Sequence, residues 1–187
     1  MNPLFEAALD LQQFCHDHQW PFCVIGGLAV QRWGEPRLTR DVDCTILTGF
    51  GRERAVIDPL LERYTGRVDD PRAFALSYRV VLLSSASSVP LDVSLGAMPF
   101  EDRAVARASP WLITADASIT TCSAEDLIVF KAFAGRDRDW IDIDGIVARQ
   151  ATKLDQRQVF DELIPLVALK ADTTTVPRLE TLFRTAR

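Results

Sequence analysis

Apolar residues recur at helical spacing near the start of the chain. Leu4, Ala8, Leu11 and Cys15 form one stripe, with Ala7 and Phe14 beside it, which predicts an amphipathic first helix over Leu4–His18. Phe22-Cys23-Val24-Ile25, opened by Pro21, is a short apolar run and predicts a buried strand that Gly26-Gly27 ends. Leu28–Trp33 reads as a short helix and Gly34-Glu35-Pro36 as a turn. A second strand is expected over Asp41–Leu47, followed by loop glycines at 49 and 51. Arg52–Tyr64 has helical spacing, with Pro59 a kink or break. Two further apolar runs, Phe74–Leu83 and Val89–Leu95, are joined by serine-rich residues 84–88 and predict a strand hairpin. Ser118–Thr121 predicts one more short strand.

Beyond residue 122 the pattern turns helical. Ser123 is a good N-cap for a helix over Ala124–Ala134, with Glu125 and Asp126 in the first turn, where the helix dipole favours acids. Further helices are expected over Asp139–Gln150, over Gln156–Lys170 with a break at Pro165, and over Pro177–Thr185. Strands before residue 122 and helices after it predict an α+β domain over residues 1–122 and a helical C-terminal region over 123–187.

Composition narrows the class without deciding the partner. The 187 residues are 48% hydrophobic and 25% charged, ordinary for a globular protein. No apolar run approaches the ~18 residues of a membrane span. The N-terminal stretch carries acids and no basic region, so it does not read as a signal peptide; a cytoplasmic location is expected. Cys15, Cys23, Cys44 and Cys122 form no CxxC pair and read as core residues rather than metal ligands. His16 and His18, two apart on a helix, face different ways. The net charge of −5 argues against broad nucleic-acid binding, although 18 of the 21 basic residues are Arg, whose planar fork suits phosphate.

The candidate chemistry lies in three acids and two glycines. Asp41 and Asp43 are two apart at the head of a strand, so both carboxylates project from one face. Paired carboxylates repel unless a cation lies between them, and Mg²⁺ prefers one or two carboxylates together with phosphate oxygens. The plainer alternative is a pair of solvated acids. Asp92 sits between Leu91 and Val93 in a strand, where an acid is costly unless paired, metal-bound or on a wet edge. Gly26-Gly27 opens a helix, where backbone can approach a ligand and N–H groups can receive an anion; alone it reads equally as a turn.

Together, Gly26-Gly27, Arg37-Leu38-Thr39-Arg40-Asp41-Val42-Asp43 and Asp92 resemble the nucleotidyltransferase superfamily, the DNA polymerase beta fold. Gly-Gly followed by Arg-x-Thr-x-Asp-x-Asp is similar to the AbiEii-type nucleotidyltransferases of bacterial toxin–antitoxin systems. Lys131, Ala134, Arg136, Arg138-Asp139-Trp140 and Asp142-Ile143 extend the similarity, which covers roughly residues 20–150. The resemblance implies a mixed sheet flanked by helices. It also implies Asp41, Asp43 and Asp92 as catalytic carboxylates holding Mg²⁺ or Mn²⁺, with Asp92 the base for the attacking hydroxyl. Gly26 and Gly27 would cradle a nucleoside triphosphate, with Thr39 close by and Arg37 in reach of phosphate. Lys131 would reach the phosphates, or else lie as a snorkelling lysine. Asp139 and Asp142 would orient Lys131 or an Arg, or else decorate a helix exposed to water; for Asp142 the second reading is preferred.

The activity implied is transfer of a nucleoside monophosphate from an NTP to a hydroxyl of RNA, such as a tRNA end, or of protein. A partner antitoxin or toxin is expected with it, and no membrane. Two other readings stay open: a non-catalytic binding partner with the same fold, and a glycosyltransferase that uses its DxD on a nucleotide-sugar.

Overall fold

The computed structural model describes residues 2–185. They divide into two compact units, one reaching to Leu28 and resuming over Leu38–Cys122, the other comprising Ala29–Arg37 and the chain from Ser123 onward.

The first unit is built on one mixed sheet. In chain order its strands are β1 (Phe22–Val24), β2 (Val42–Leu47), β3 (Thr65–Gly66), β4 (Val80–Ser84), β5 (Pro90–Gly96), β6 (Ser109–Leu112) and β7 (Ser118–Thr121). They lie in the order β3-β4-β5-β2-β1-β7-β6. The central pair, β2 and β5, is parallel, as is β1 with β7; the other pairings are antiparallel. Helices α1 (Pro3–Asp17), α3 (Arg54–Arg63), α4 (Pro71–Tyr78) and α5 (Pro99–Ala106) belong to this unit, and α2 (Gly26–Trp33) starts in it.

Alternation in the central strands sorts the two faces. Val42, Cys44 and Ile46 of β2, Leu91, Val93 and Leu95 of β5, and Val81 and Leu83 of β4 all enter one core with α1, α3 and Ala75 of α4. The residues between them, Asp43, Asp92, Ser94 and Leu82, are only half-buried and occupy the opposite face. Each fully buried Val, Leu or Ile contributes about 1.5–3 kcal/mol. A one-residue slip of β2 or β5 would turn these residues outward and the aspartates inward. The core therefore fixes the register that the acids share.

Several predicted elements differ in detail. Of the apolar run Phe74–Leu83, only its second half is strand; Phe74–Tyr78 is helical. Asp70 caps that helix by accepting from the Ala73 N–H at 2.9 Å, and Pro71 stands in its first turn. Arg79 ends it in the left-handed region at φ 55°, held by donating to Glu53 and to the Leu95 carbonyl. The hairpin itself exists between β4 and β5. Neither Pro59 nor Pro165 breaks its helix. Helix α2 starts at Gly26, two residues before the expected Leu28, so the two glycines form its opening. Three elements lacked a recognised signal: β3, α5 and β6. Helix α5 starts behind Met98, whose N–H donates to Glu101 at 2.9 Å. All four cysteines are buried and free of disulfides.

The second unit holds the rest of α2 and the turn behind it, then α6 (Ala124–Ala134), α7 (Asp137–Gln150), α8 (Gln156–Leu169) and α9 (Thr175–Thr185). Gly34 and Gly145 let the turn press against α7. A Cβ at Gly34 would stand 2.9 Å from Ile146, and one at Gly145 3.2 Å from Glu35. Arg149 fastens the same turn by donating to the Gly34 carbonyl at 2.6 Å. Among the described residues, no helix is long and apolar enough to cross a membrane.

Candidate active site

Asp43 and Asp92 are direct partners across the parallel β2–β5 pair. In-register residues of adjacent strands point to the same face, so these two carboxylates stand side by side although far apart in sequence. Asp41 precedes β2 by one residue and its charge acts on Asp92. The structure thus sets Asp43 and Asp92 side by side on the polar face of the central strands, with Asp41 just ahead of β2 and near enough for its charge to act on Asp92.

Each carboxylate has its own contact. Asp41 accepts the Thr39 hydroxyl at 2.7 Å. Asp43 accepts the Gly27 N–H at a long 3.4 Å, at the positive end of α2, where an anion is favoured. Asp92 accepts from the guanidinium of Arg67. Burial raises the Asp92 carboxyl above its ordinary value; Arg67 pulls it down, Asp41 pushes it up, and the net shift is upward.

The two glycines are required by contact. Gly26 has φ +60°, and a Cβ there would fall 1.8 Å from Asp43 Oδ2. A Cβ on Gly27 would fall 2.2 Å from Thr39 Oγ1. What approaches these glycines is thus the chain's own Asp43 and Thr39, an approach that any side chain would block.

The three carboxylates supply the hard oxygen donors that Mg²⁺ or Mn²⁺ prefer, so the donor set fits a divalent ion. Among the described residues, however, no group of three or more His, Cys, Asp or Glu is gathered tightly enough to grip one as the side chains stand. In this arrangement, Asp92 meets Arg67 and Asp41 meets Thr39.

The remaining predicted residues, Lys131 and Arg37, lie in the second unit and form a network there. Lys131, 5% exposed, donates to Asp142 at 2.6 Å and to Asp139 at 3.3 Å. Arg37 grips Asp142 through two bonds, Nε to Oδ1 at 2.6 Å and Nη2 to Oδ2 at 2.7 Å. Arg136 donates to Asp139 at 2.7 Å. Asp142 was expected on a wet face and is instead 4% exposed. Burial alone would raise its carboxyl, but the hydrogen bonds and charges of Arg37 and Lys131 outweigh that and hold it below the usual range. Asp139 and Asp142, three apart on a helix, share one face; that spacing, together with Arg37 upstream, was the signal available in the sequence. Arg67 had none.

The model of the family described as nucleotidyl transferase AbiEii toxin, type IV toxin–antitoxin system, matches residues 14–186. No curated protein matches the chain. Among solved structures, the chain is similar to an antigenic nucleotidyltransferase-like protein from Paracoccidioides brasiliensis. That likeness has 17% identity and a TM-score of 0.55, over 97% of this chain and 92% of that one. It is also similar to the lincomycin-bound lincosamide antibiotic adenylyltransferase LnuA, with 16% identity and a TM-score of 0.51, over 78% of this chain and 96% of that one. At these identities the likeness establishes the fold. The family match runs from α1 to the end of α9 and takes in both glycines, all three acids and the Lys131 network, so the chain belongs to the AbiEii nucleotidyltransferase family.

Proposed function

We propose that the chain transfers a nucleoside monophosphate from an NTP to a hydroxyl of RNA or protein and releases pyrophosphate, as a cytoplasmic component of a toxin–antitoxin pair. The observation that carries this reading is the in-register pairing of Asp43 with Asp92, with Asp41 close enough for its charge to act on Asp92. Asp41, Asp43 and Asp92 would hold Mg²⁺ or Mn²⁺. A bound divalent ion supplies charge neutralisation of the triphosphate and lowers the pKa of an oxygen attached to it.

The chain's own residues have the following parts. Asp92 takes the proton of the acceptor hydroxyl. That oxygen bonds to the α-phosphorus, and the bond from the α-phosphorus to the bridging oxygen breaks, releasing pyrophosphate. The N–H groups at the start of α2 receive phosphate oxygens, and Thr39 orients Asp41. In the second unit, Arg37 is held by Asp142, and Lys131 acts by neutralising Asp139 and Asp142.

The test is incubation of the protein with each of four α-labelled NTPs and Mg²⁺ in cell extract, followed by separation of RNA from protein. Label in one fraction, lost with Asp43→Asn, is the expected result and names the acceptor class. Full labelling by Asp43→Asn would refute the role given to this carboxylate.

A further inference from the structure

Arg67 follows the two-residue strand β3 and continues its pairing with β4. Its N–H donates to the Leu82 carbonyl at 2.9 Å and its Nε to the Leu83 carbonyl at 2.8 Å. Leu82 is the β4 partner of Asp92, and Asp92 is the β5 partner of Asp43. The guanidinium therefore reaches across a half-buried leucine along one row of the sheet to the carboxylate of Asp92. The backbone N–H and the Nε of the guanidinium are thus bonded to β4 carbonyls, while Nη2 meets the acid. Both side chains are about one-third exposed, 32% for Arg67 and 33% for Asp92, so the pair is open to exchange with a dissolved ion.

We propose that Arg67 is the resident counter-ion of Asp92, and that a divalent cation takes this carboxylate only by displacing the Arg67 guanidinium. Arg67 is then a positioning residue that sets the metal concentration at which the three acids gather around an ion. The inference rests on the metal-holding reading given above. Neighbouring carboxylates repel one another, and the Arg67 guanidinium on Asp92 relieves part of that repulsion in the free protein. A doubly charged ion among the same acids repels the guanidinium, so the two cations compete for one group.

Calorimetric titration with Mn²⁺, without nucleotide, tests this, together with thermal melting with and without Mn²⁺. An ion pair that is one-third exposed carries little energy, so Arg67→Met should lower the Mn²⁺ Kd only roughly two- to fivefold. The same variant should melt earlier without metal and gain more from Mn²⁺ than the wild type. Arg67→Lys, which keeps the charge, should stay close to the wild type. Arg72→Met, which removes an exposed arginine paired with Asp58, gives the baseline for losing one positive charge. If Arg67→Met fails to fold, Arg67→Gln replaces it. Wild-type binding that Asp92→Asn weakens but Arg67→Met leaves at the Arg72→Met baseline overturns this inference and spares the metal reading. Equal shifts in Arg67→Lys and Arg67→Met likewise overturn it. Absence of Mn²⁺ binding in the wild type and in Arg67→Met overturns both.

Discussion

The molecule contains two clusters of acids, and they are held in opposite ways. Asp139 and Asp142 are almost wholly buried, and Lys131, Arg37 and Arg136 meet them with three positive charges for two negative. Asp41, Asp43 and Asp92 are half-exposed, and Arg67 meets one of them, Asp92. The first cluster is complete as it stands. The second is half-exposed, and carboxylates set close together on an open face are the kind that take up a cation. A fully paired buried network keeps a shape, whereas a cluster on an open face has chemistry left to do.

Breaking the open cluster should show first in catalysis. Asp43→Asn keeps an oxygen to accept the Gly27 N–H and removes one of three like charges. Transfer should fall by at least about a thousandfold, roughly 4 kcal/mol in barrier, while urea unfolding shows no loss of stability. Breaking the closed cluster should do the reverse. Lys131→Met leaves two buried carboxylates short of a partner, and buried pairs cost about 3–5 kcal/mol when one member is lost. Each aspartate keeps an arginine, so the lower end, about 3 kcal/mol, is expected in the same unfolding measurement. If Lys131→Met abolished transfer yet unfolded like the wild type, the structural role assigned to this lysine would be wrong.

Gly26→Ala falls between these cases. Its left-handed backbone costs an alanine about 1–2 kcal/mol, and its Cβ would meet Asp43, 1.8 Å away in the undistorted geometry. Stability should drop by about 1–3 kcal/mol, and transfer should drop further than stability alone accounts for, since Asp43 has to move.

The smallest effect, and the sharpest contrast, is in pH. The Asp142 carboxyl lies below its ordinary 3.8 in the folded protein, so its contribution is present above that value and lost as pH falls through the folded one. Asp92 is shifted upward, so its contribution is present below the unfolded value and lost as pH rises through the folded one. The stability gap between wild type and Asp142→Asn should therefore shrink on acidification. Asp92→Asn should lose ground against the wild type over the same titration. Gaps moving in the same direction would contradict the pairing described for one cluster.

The sequence made the open cluster legible because it depends on short-range pattern. Alternation in Val42-Asp43-Cys44 and Leu91-Asp92-Val93 says which side chains share a face, and the two glycines announce close backbone approach. The pairing of Asp43 with Asp92, rather than with a neighbour, depends on the whole β2–β5 ladder and cannot be read locally. Arg67 was invisible because its placement depends on a strand of two residues. The closed cluster was misjudged for a related reason. Helix α6 is apolar nearly all round, so Lys131 looked like a lysine at its edge. Only the docking of α7 and the turn behind α2, which Gly34 and Gly145 permit, shows that Asp142 is enclosed. Phe74–Tyr78 was read as strand from apolar content, although Asp70-Pro71 is a helix-opening pair.

The serine-rich bend at residues 85–88, with Ser88 at φ 62°, falls in the chain between Asp43 and Asp92. A polypeptide nicked there would leave two of the acids on one fragment and the third on the other, with β4 and β5 each searching for its lost neighbour. Neither piece alone would carry all three acids. Recovered transfer on mixing would then be a direct signal of fragment reassembly, which makes this bend a natural place to divide the enzyme into a complementation pair.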